Sequence, residues 1–114
     1  RYKHPTSVLV ADAEGASALS PEDRDQALIA SAAFLVRNLR NVDTVFRVGP
    51  TRFAALLPET PPAGAAAAAR RVEARIPDLA ASLGFPMSLR LRAIGWAEDG
   101  APEIDEVLRD TLGA

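Results

Sequence analysis

The sequence predicts a single α+β domain in which helices cover a sheet of four or five strands. Three observations predict it. Strand-like and helix-like segments follow one another in the order strand, helix, strand, strand, helix, strand, helix. The 114 residues suit one domain, and 48% hydrophobic with 25% charged residues is the make-up of an ordinary globular chain.

Ser7-Val8-Leu9-Val10-Ala11-Asp12 is a short apolar run with two β-branched residues, followed by Glu14-Gly15, which suits a buried strand ending at a turn with Asp12 at its mouth. Ser20-Pro21-Glu22-Asp23 supplies an N-cap, a proline at the first helical position and an acid that can reach back to the cap, so a helix starts there. Leu28, Ala32, Leu35, Val36 and Leu39 recur at helical spacing and predict its apolar face, opposite Arg24, Asp25, Arg37 and Asn38. Thr44–Val48 and Phe53–Leu57 are two strand-like runs, and Gly49-Pro50-Thr51-Arg52 between them marks a hairpin turn. Pro58 to Pro62 ends the second run. Ala63 to Ile76 has the highest helix propensity of the chain, with Ala65, Ala69, Val72 and Ile76 as a narrow apolar stripe, and Gly84 and Pro86 close the segment after it. Met87, Leu89, Leu91 and Ala93 alternate with Ser88, Arg90 and Arg92, a half-exposed strand running toward Gly95-Trp96. Pro102 to Leu112 fits a last short helix, with Ile104, Val107, Leu108 and Leu112 inward. This order is that of a ferredoxin-like α+β sandwich, and the fold alone names no function.

Composition narrows the chemistry. With no Cys and a lone His4, the sequence has no thiolate or multi-His metal site and almost nothing from which to build a Ser/His/Asp or Cys/His catalytic set. A formal net charge of −2 argues against a nucleic-acid partner, which would need a basic surface. No apolar run approaches a membrane span and no signal peptide is visible, so the expectation is a cytoplasmic domain without direct membrane contact. The chain begins at Arg1 without an initiator Met and reads as one domain, residues 1–114, of a longer multidomain protein.

The hairpin carries a more specific signal. The run Arg40-Asn41-Val42-Asp43-Thr44-Val45-Phe46-Arg47-Val48-Gly49-Pro50-Thr51-Arg52-Phe53, followed by Leu57-Pro58-Glu59-Thr60, resembles the core of the GGDEF family, the diguanylate cyclases, in which R-x-x-D-x-x-x-R-Y-G-G-D/E-E-F runs into a strand ending L-P-x-T. The Arg, Asp, Arg, Gly, Phe, Pro and Thr positions match at identical spacing. The resemblance implies a nucleotide-cyclase-like antiparallel-mixed sheet covered by helices. It places Asp12 on the family's first-strand metal Asp, Ala93-Ile94-Gly95 on its S-x-G strand and Leu108 to Leu112 on its final helix.

The departures lie at the turn. Where the family has two glycines and two acids that serve the nucleotide phosphates and the metal, this chain has Gly49, Pro50, Thr51 and Arg52 before Phe53. Proline has no N–H and obstructs the close approach a glycine permits, threonine is a poor substitute for a carboxylate on Mg²⁺, and arginine brings a permanent positive charge. The family's guanine-binding stretch is shortened in Gly15 to Asp25, with Asp25 as its remaining match. From these positions the expectation is a degenerate signature turn, Asp12 as a vestigial metal position, no metal, no cofactor and no enzyme activity, since phosphoryl transfer depends on positioned charge. In the family fold the end of the first strand lies beside the turn, so Arg52 is expected to pair with Asp12.

A second family site is retained. The resemblance implies that Arg40 and Asp43, the R-x-x-D pair, together with Arg71 of the following helix, form the family's inhibitory site for its product cyclic di-GMP. Arginine presents a fork of donors to phosphate oxygens or a guanine O6/N7 edge, and aspartate accepts from guanine N1 and N2 hydrogens. The plainer reading is a helix-end arginine, a turn aspartate and a solvated helix face for Arg70, Arg71 and Arg75. Three functions stay open, in this order: a regulatory domain of a bacterial signalling protein that senses cyclic di-GMP, a dimerisation or docking module that binds no nucleotide, and, a distant third, an active cyclase. The expected partners are cyclic di-GMP, other domains of the parent protein or a partner protein, and a second copy of the chain.

Overall fold

The structure, a computed structural model, describes residues 6–85 and 87–96, and for Gly95 and Trp96 the backbone alone. Strand β1 (Thr6–Glu14) leads through a 3-10 turn at Ala16–Ala18 into helix α1 (Pro21–Asn38). Strands β2 (Thr44–Arg47) and β3 (Arg52–Pro58) follow, then helices α2 (Pro62–Glu73) and α3 (Ile76–Leu83) and strand β4 (Ser88–Trp96). The sheet order is β2-β3-β1-β4, antiparallel throughout, which is the ferredoxin-like arrangement expected from the element order. The helix expected over Pro102 to Leu112 lies outside the described residues, as does His4.

The central position of β1 explains its sequence. Ser7 to Ala11 are all buried, because one face of the strand meets the helices while the other packs Val8 and Val10 on Ala54 and Ile94. A strand covered on both faces reads as an apolar run rather than an alternation. On the helix side, Leu9, Ala55 and Leu57 pack on Ala65 and Ala69 of α2, whose small side chains bring the helix close to the sheet.

Helix α1 starts as predicted. The Ser20 hydroxyl accepts from the Asp23 N–H at 3.2 Å and Pro21 occupies the first turn. Its buried face differs from the predicted stripe: Ala27, Leu28, Ser31, Phe34 and Leu35 are buried, whereas Val36 is 60% exposed. Successive helical residues point about 100° apart, so Leu35 cannot share a narrow face with both neighbours, and the large Phe34 ring takes the inner place. Ser31 is tolerated inside because its hydroxyl donates to the Ala27 carbonyl at 2.7 Å.

The helix predicted over Ala63 to Ile76 ends at Glu73, and a further helix fills the segment after it, for which the sequence predicts no element. Pro77 has no N–H to continue α2 and its ring opposes the carbonyl four residues back, so α2 stops at Glu73 and α3 restarts at Ile76 with the proline in its first turn. Gly84, at φ 79°, ends α3 in the left-handed region. Leu79 of α3 and Val72 of α2 enter the same buried cluster as Phe34. Among the described residues, no helix is long and apolar enough to cross a membrane.

Candidate functional site

Helix α1 ends at Asn38, whose side-chain amide donates to the Phe34 carbonyl at 2.8 Å, and the chain turns so that Arg40 and Asp43 face each other before β2 begins. Both carboxylate oxygens of Asp43 are taken by Arg40. Oδ2 accepts from the Arg40 backbone N–H at 2.7 Å and from Nε at 3.3 Å, and Oδ1 accepts from Nη2 at 2.9 Å. The same Nη2 donates to the Pro58 carbonyl at 3.0 Å and to Thr60 Oγ1 at 2.7 Å. The hydrogen bond with Asp43 is the main reason the Arg40 guanidinium is held above the ordinary arginine range.

The β3–α2 loop builds the other side. Buried Ser7 donates to the Thr60 carbonyl at 2.7 Å, and Glu59 adopts φ 53° between Pro58 and Thr60. Helix α2 then brings Arg71 across. Arg40, Asp43 and Arg71 line one pocket of about 250 Å³ together with Glu59, Thr60 and Gly64. A Cβ on Gly64 would stand 3.1 Å from Thr60 Cγ2, so a side chain there would press on the loop that holds Arg40. Thr60, the Pro58 carbonyl and Glu59 were not among the predicted site residues, although the Leu57-Pro58-Glu59-Thr60 motif was the signal that marked this loop.

The hairpin turn is a separate place. Arg47 folds back on it, donating from Nε to the Gly49 carbonyl at 2.8 Å and from Nη2 to the Pro50 carbonyl at 2.6 Å. Thr51 accepts from the Ala13 N–H at 2.8 Å, which ties the turn to β1, and Phe53 is buried in the main core. Asp12 and Arg52 stand opposite each other in the β1–β3 ladder, with Arg52 Nε donating to Asp12 Oδ1 at 2.6 Å. Asp25 is exposed on α1, and Arg24 beside it is spent on the carbonyls of Ala16, Ser17 and Leu19, which closes the short loop after β1.

Comparison with known proteins gives this architecture its place. The sequence profile of "Diguanylate cyclase, GGDEF domain" matches residues 22–88, more than half of the chain. No curated relative matches. Among solved structures, the GGDEF domain of YfiN from Pseudomonas aeruginosa is similar at 25% identity and TM-score 0.73, covering 97% of this chain and 73% of that one. The active GGEEF domain of a diguanylate cyclase from Vibrio cholerae is similar at 18% identity and TM-score 0.72, covering 97% and 74%. The GGDEF domain of DgcB from Caulobacter crescentus, solved in complex with c-di-GMP, is similar at 12% identity and TM-score 0.72, covering 96% and 69%.

The expectation of no enzyme is overturned by the profile match, because the matching profile is that of an enzyme family. That expectation rested on Pro50, Thr51 and Arg52, and residue types in one turn describe how a site is built rather than the class of protein that carries it. With the profile match over 22–88 and the ferredoxin-like sheet both in hand, the chain belongs to the GGDEF domain family of the diguanylate cyclases.

Proposed function

We propose that this domain binds cyclic di-GMP at the Arg40 pocket and serves as a regulatory GGDEF domain in a bacterial, cytoplasmic signalling protein. The observation that carries the reading is that Arg40, Asp43 and Arg71, separated by up to a helix and a hairpin in sequence, line one pocket. Two guanidinium groups suit a dianionic ligand with guanine bases, because each can fork onto phosphate oxygens or a guanine edge. The DgcB domain, which shares the fold, is a protein solved with c-di-GMP, and this supports the same ligand class here.

Calorimetric titration of the domain with cyclic di-GMP, at low and at high salt, tests the reading. Saturable binding that weakens with salt and with Arg40→Ala or Arg71→Ala supports it. Absence of heat at high micromolar ligand sinks it and leaves the docking module. That second reading has an observation of its own: Ile29 and Val36, one heptad apart on α1, are 71% and 60% exposed.

A further inference from the structure

We infer that Arg52 occupies the cation position beside Asp12, so that the first-strand carboxylate recruits no divalent metal while that arginine is in place. The inference concerns the hairpin end of the sheet and does not rest on the reading of the Arg40 pocket.

The family resemblance implies a divalent metal at Asp12, and the residues around it do not fit one. Mg²⁺ demands an octahedral oxygen shell and is held by one or two carboxylates with phosphates and waters completing it. Asp12 already accepts from Arg52 Nε at 2.6 Å, with the two side chains 33% and 28% exposed. The ladder register makes this arrangement durable. Arg52 lies directly opposite Asp12 on β3, and Arg90 lies directly opposite it on β4, so both cross-strand neighbours of the carboxylate are arginines on the same face of the sheet.

The other acid on that face of β1 also has a cationic neighbour. Glu14, two residues along the same face of β1, stands 3.6 Å from Arg90. The turn supplies Thr51 where an acid would be needed. Among the described residues, no three His, Asp or Glu side chains converge in a way that could hold a metal ion. A divalent ion approaching Asp12 would have to displace one guanidinium and tolerate a second, and like charges a few ångströms apart repel even at a partly solvated surface. The fixed cation of this site is therefore part of the chain, and it is present in any ionic medium.

Paramagnetic Mn²⁺ titration of the ¹⁵N-labelled domain tests this without reference to turnover. In the wild type, up to about 1 mM Mn²⁺ is expected to produce no selective broadening of the Ala11, Asp12, Ala13, Arg52 and Phe53 amides. Arg52→Glu, which restores a carboxylate opposite Asp12, is expected to bring selective broadening there, with affinity raised on the order of tenfold or more. Adding Asp12→Asn to that variant should abolish it. Selective broadening at these amides in the wild type, lost on Asp12→Asn, overturns the inference. So does a folded Arg52→Glu domain that gains no broadening. If Arg52→Glu does not fold by circular dichroism, Arg52→Ala takes its place and must show a smaller gain in the same direction.

Discussion

Asp43 gives both of its carboxylate oxygens to Arg40, and the pair is lopsided toward solvent: the Asp43 side chain is 2% exposed and that of Arg40 is 50% exposed. A guanine edge or phosphate arriving at the pocket meets Arg40 first. In this arrangement Asp43 works as a positioning residue, holding the arginine fork in one orientation, and it reaches a ligand directly only if Arg40 turns away. Arg40→Ala is expected to lower cyclic di-GMP affinity by roughly tenfold or more through loss of a charge-assisted contact. Asp43→Asn is expected to lower it less. The double variant should bind no more weakly than Arg40→Ala alone, because Asp43 acts through a group that is no longer there. Calorimetry on the four proteins checks this, and additive losses would mean that Asp43 touches the ligand.

Arg71 reaches the same pocket from a different element and is exposed on α2. Arg71→Ala should leave the melting temperature nearly unchanged, as surface substitutions commonly do, while reducing both the affinity and its salt dependence. The pH dependence follows from Arg40. Its guanidinium lies above the ordinary arginine range because of Asp43, so the stability contributed by that pairing is fully present below the ordinary arginine range and is lost only as pH rises through the raised value. Binding measured between about pH 6 and 8.5 should therefore be flat as far as Arg40 is concerned. A step in affinity within that window that persists in Arg71→Ala would count against Arg40 as the ligand's charge partner.

The inner face of α1 makes a third prediction. Phe34 is 2% exposed within the main core and Val36 is 60% exposed. Phe34→Ala is expected to cost about 3–5 kcal/mol and Val36→Ala no more than about 0.5 kcal/mol, read from urea midpoints with unchanged slopes. Equal costs would restore Val36 to the apolar stripe expected from its spacing.

That contrast shows where the sequence was legible. The Ser20-Pro21 start of α1, the turn between β2 and β3 and the apolar run of β1 are local signals, and each is found where its residues place it. Which of two adjacent residues on α1 faces the core is decided by the volume of the opposing wall, and spacing alone carries no information about that wall. The sequence reading places the end of α2 three residues late, at Ile76, and leaves α3 unassigned, because Pro77 reads as a helix stop although it is equally at home in the first turn of a new helix. At the site, Arg40, Asp43 and Arg71 could be named from a motif. The role of Thr60 and the Pro58 carbonyl in holding Arg40 depends on the antiparallel return of β3 beside β2, whose register sets the end of β3 next to the residues before β2, a contact across 18 to 20 residues that the turn alone does not specify.

Glu59 offers a last prediction because its backbone and its charge act separately. Its φ of 53° is a left-handed conformation that costs a residue with a Cβ roughly 1–2 kcal/mol, so Glu59→Gly removes strain but also loosens the unfolded chain. These two effects oppose each other, and the net change in stability should stay within about 1 kcal/mol. The carboxylate is a different matter. Glu59 lines the pocket with Arg40 and Arg71, and its charge helps hold the Arg40 guanidinium above the ordinary range, so it competes with an incoming dianion for the same cation. Removing it should tighten cyclic di-GMP binding about two- to fivefold at low salt, a modest gain because the residue is exposed and screened. Glu59→Gln isolates the charge, since it keeps the Cβ and the backbone strain while losing the carboxylate. It should tighten binding as much as Glu59→Gly does, with no change in melting temperature. If both variants bind cyclic di-GMP as the wild type does at low salt, the ligand's phosphates do not approach this loop, and the Arg40 pocket is not where they are held.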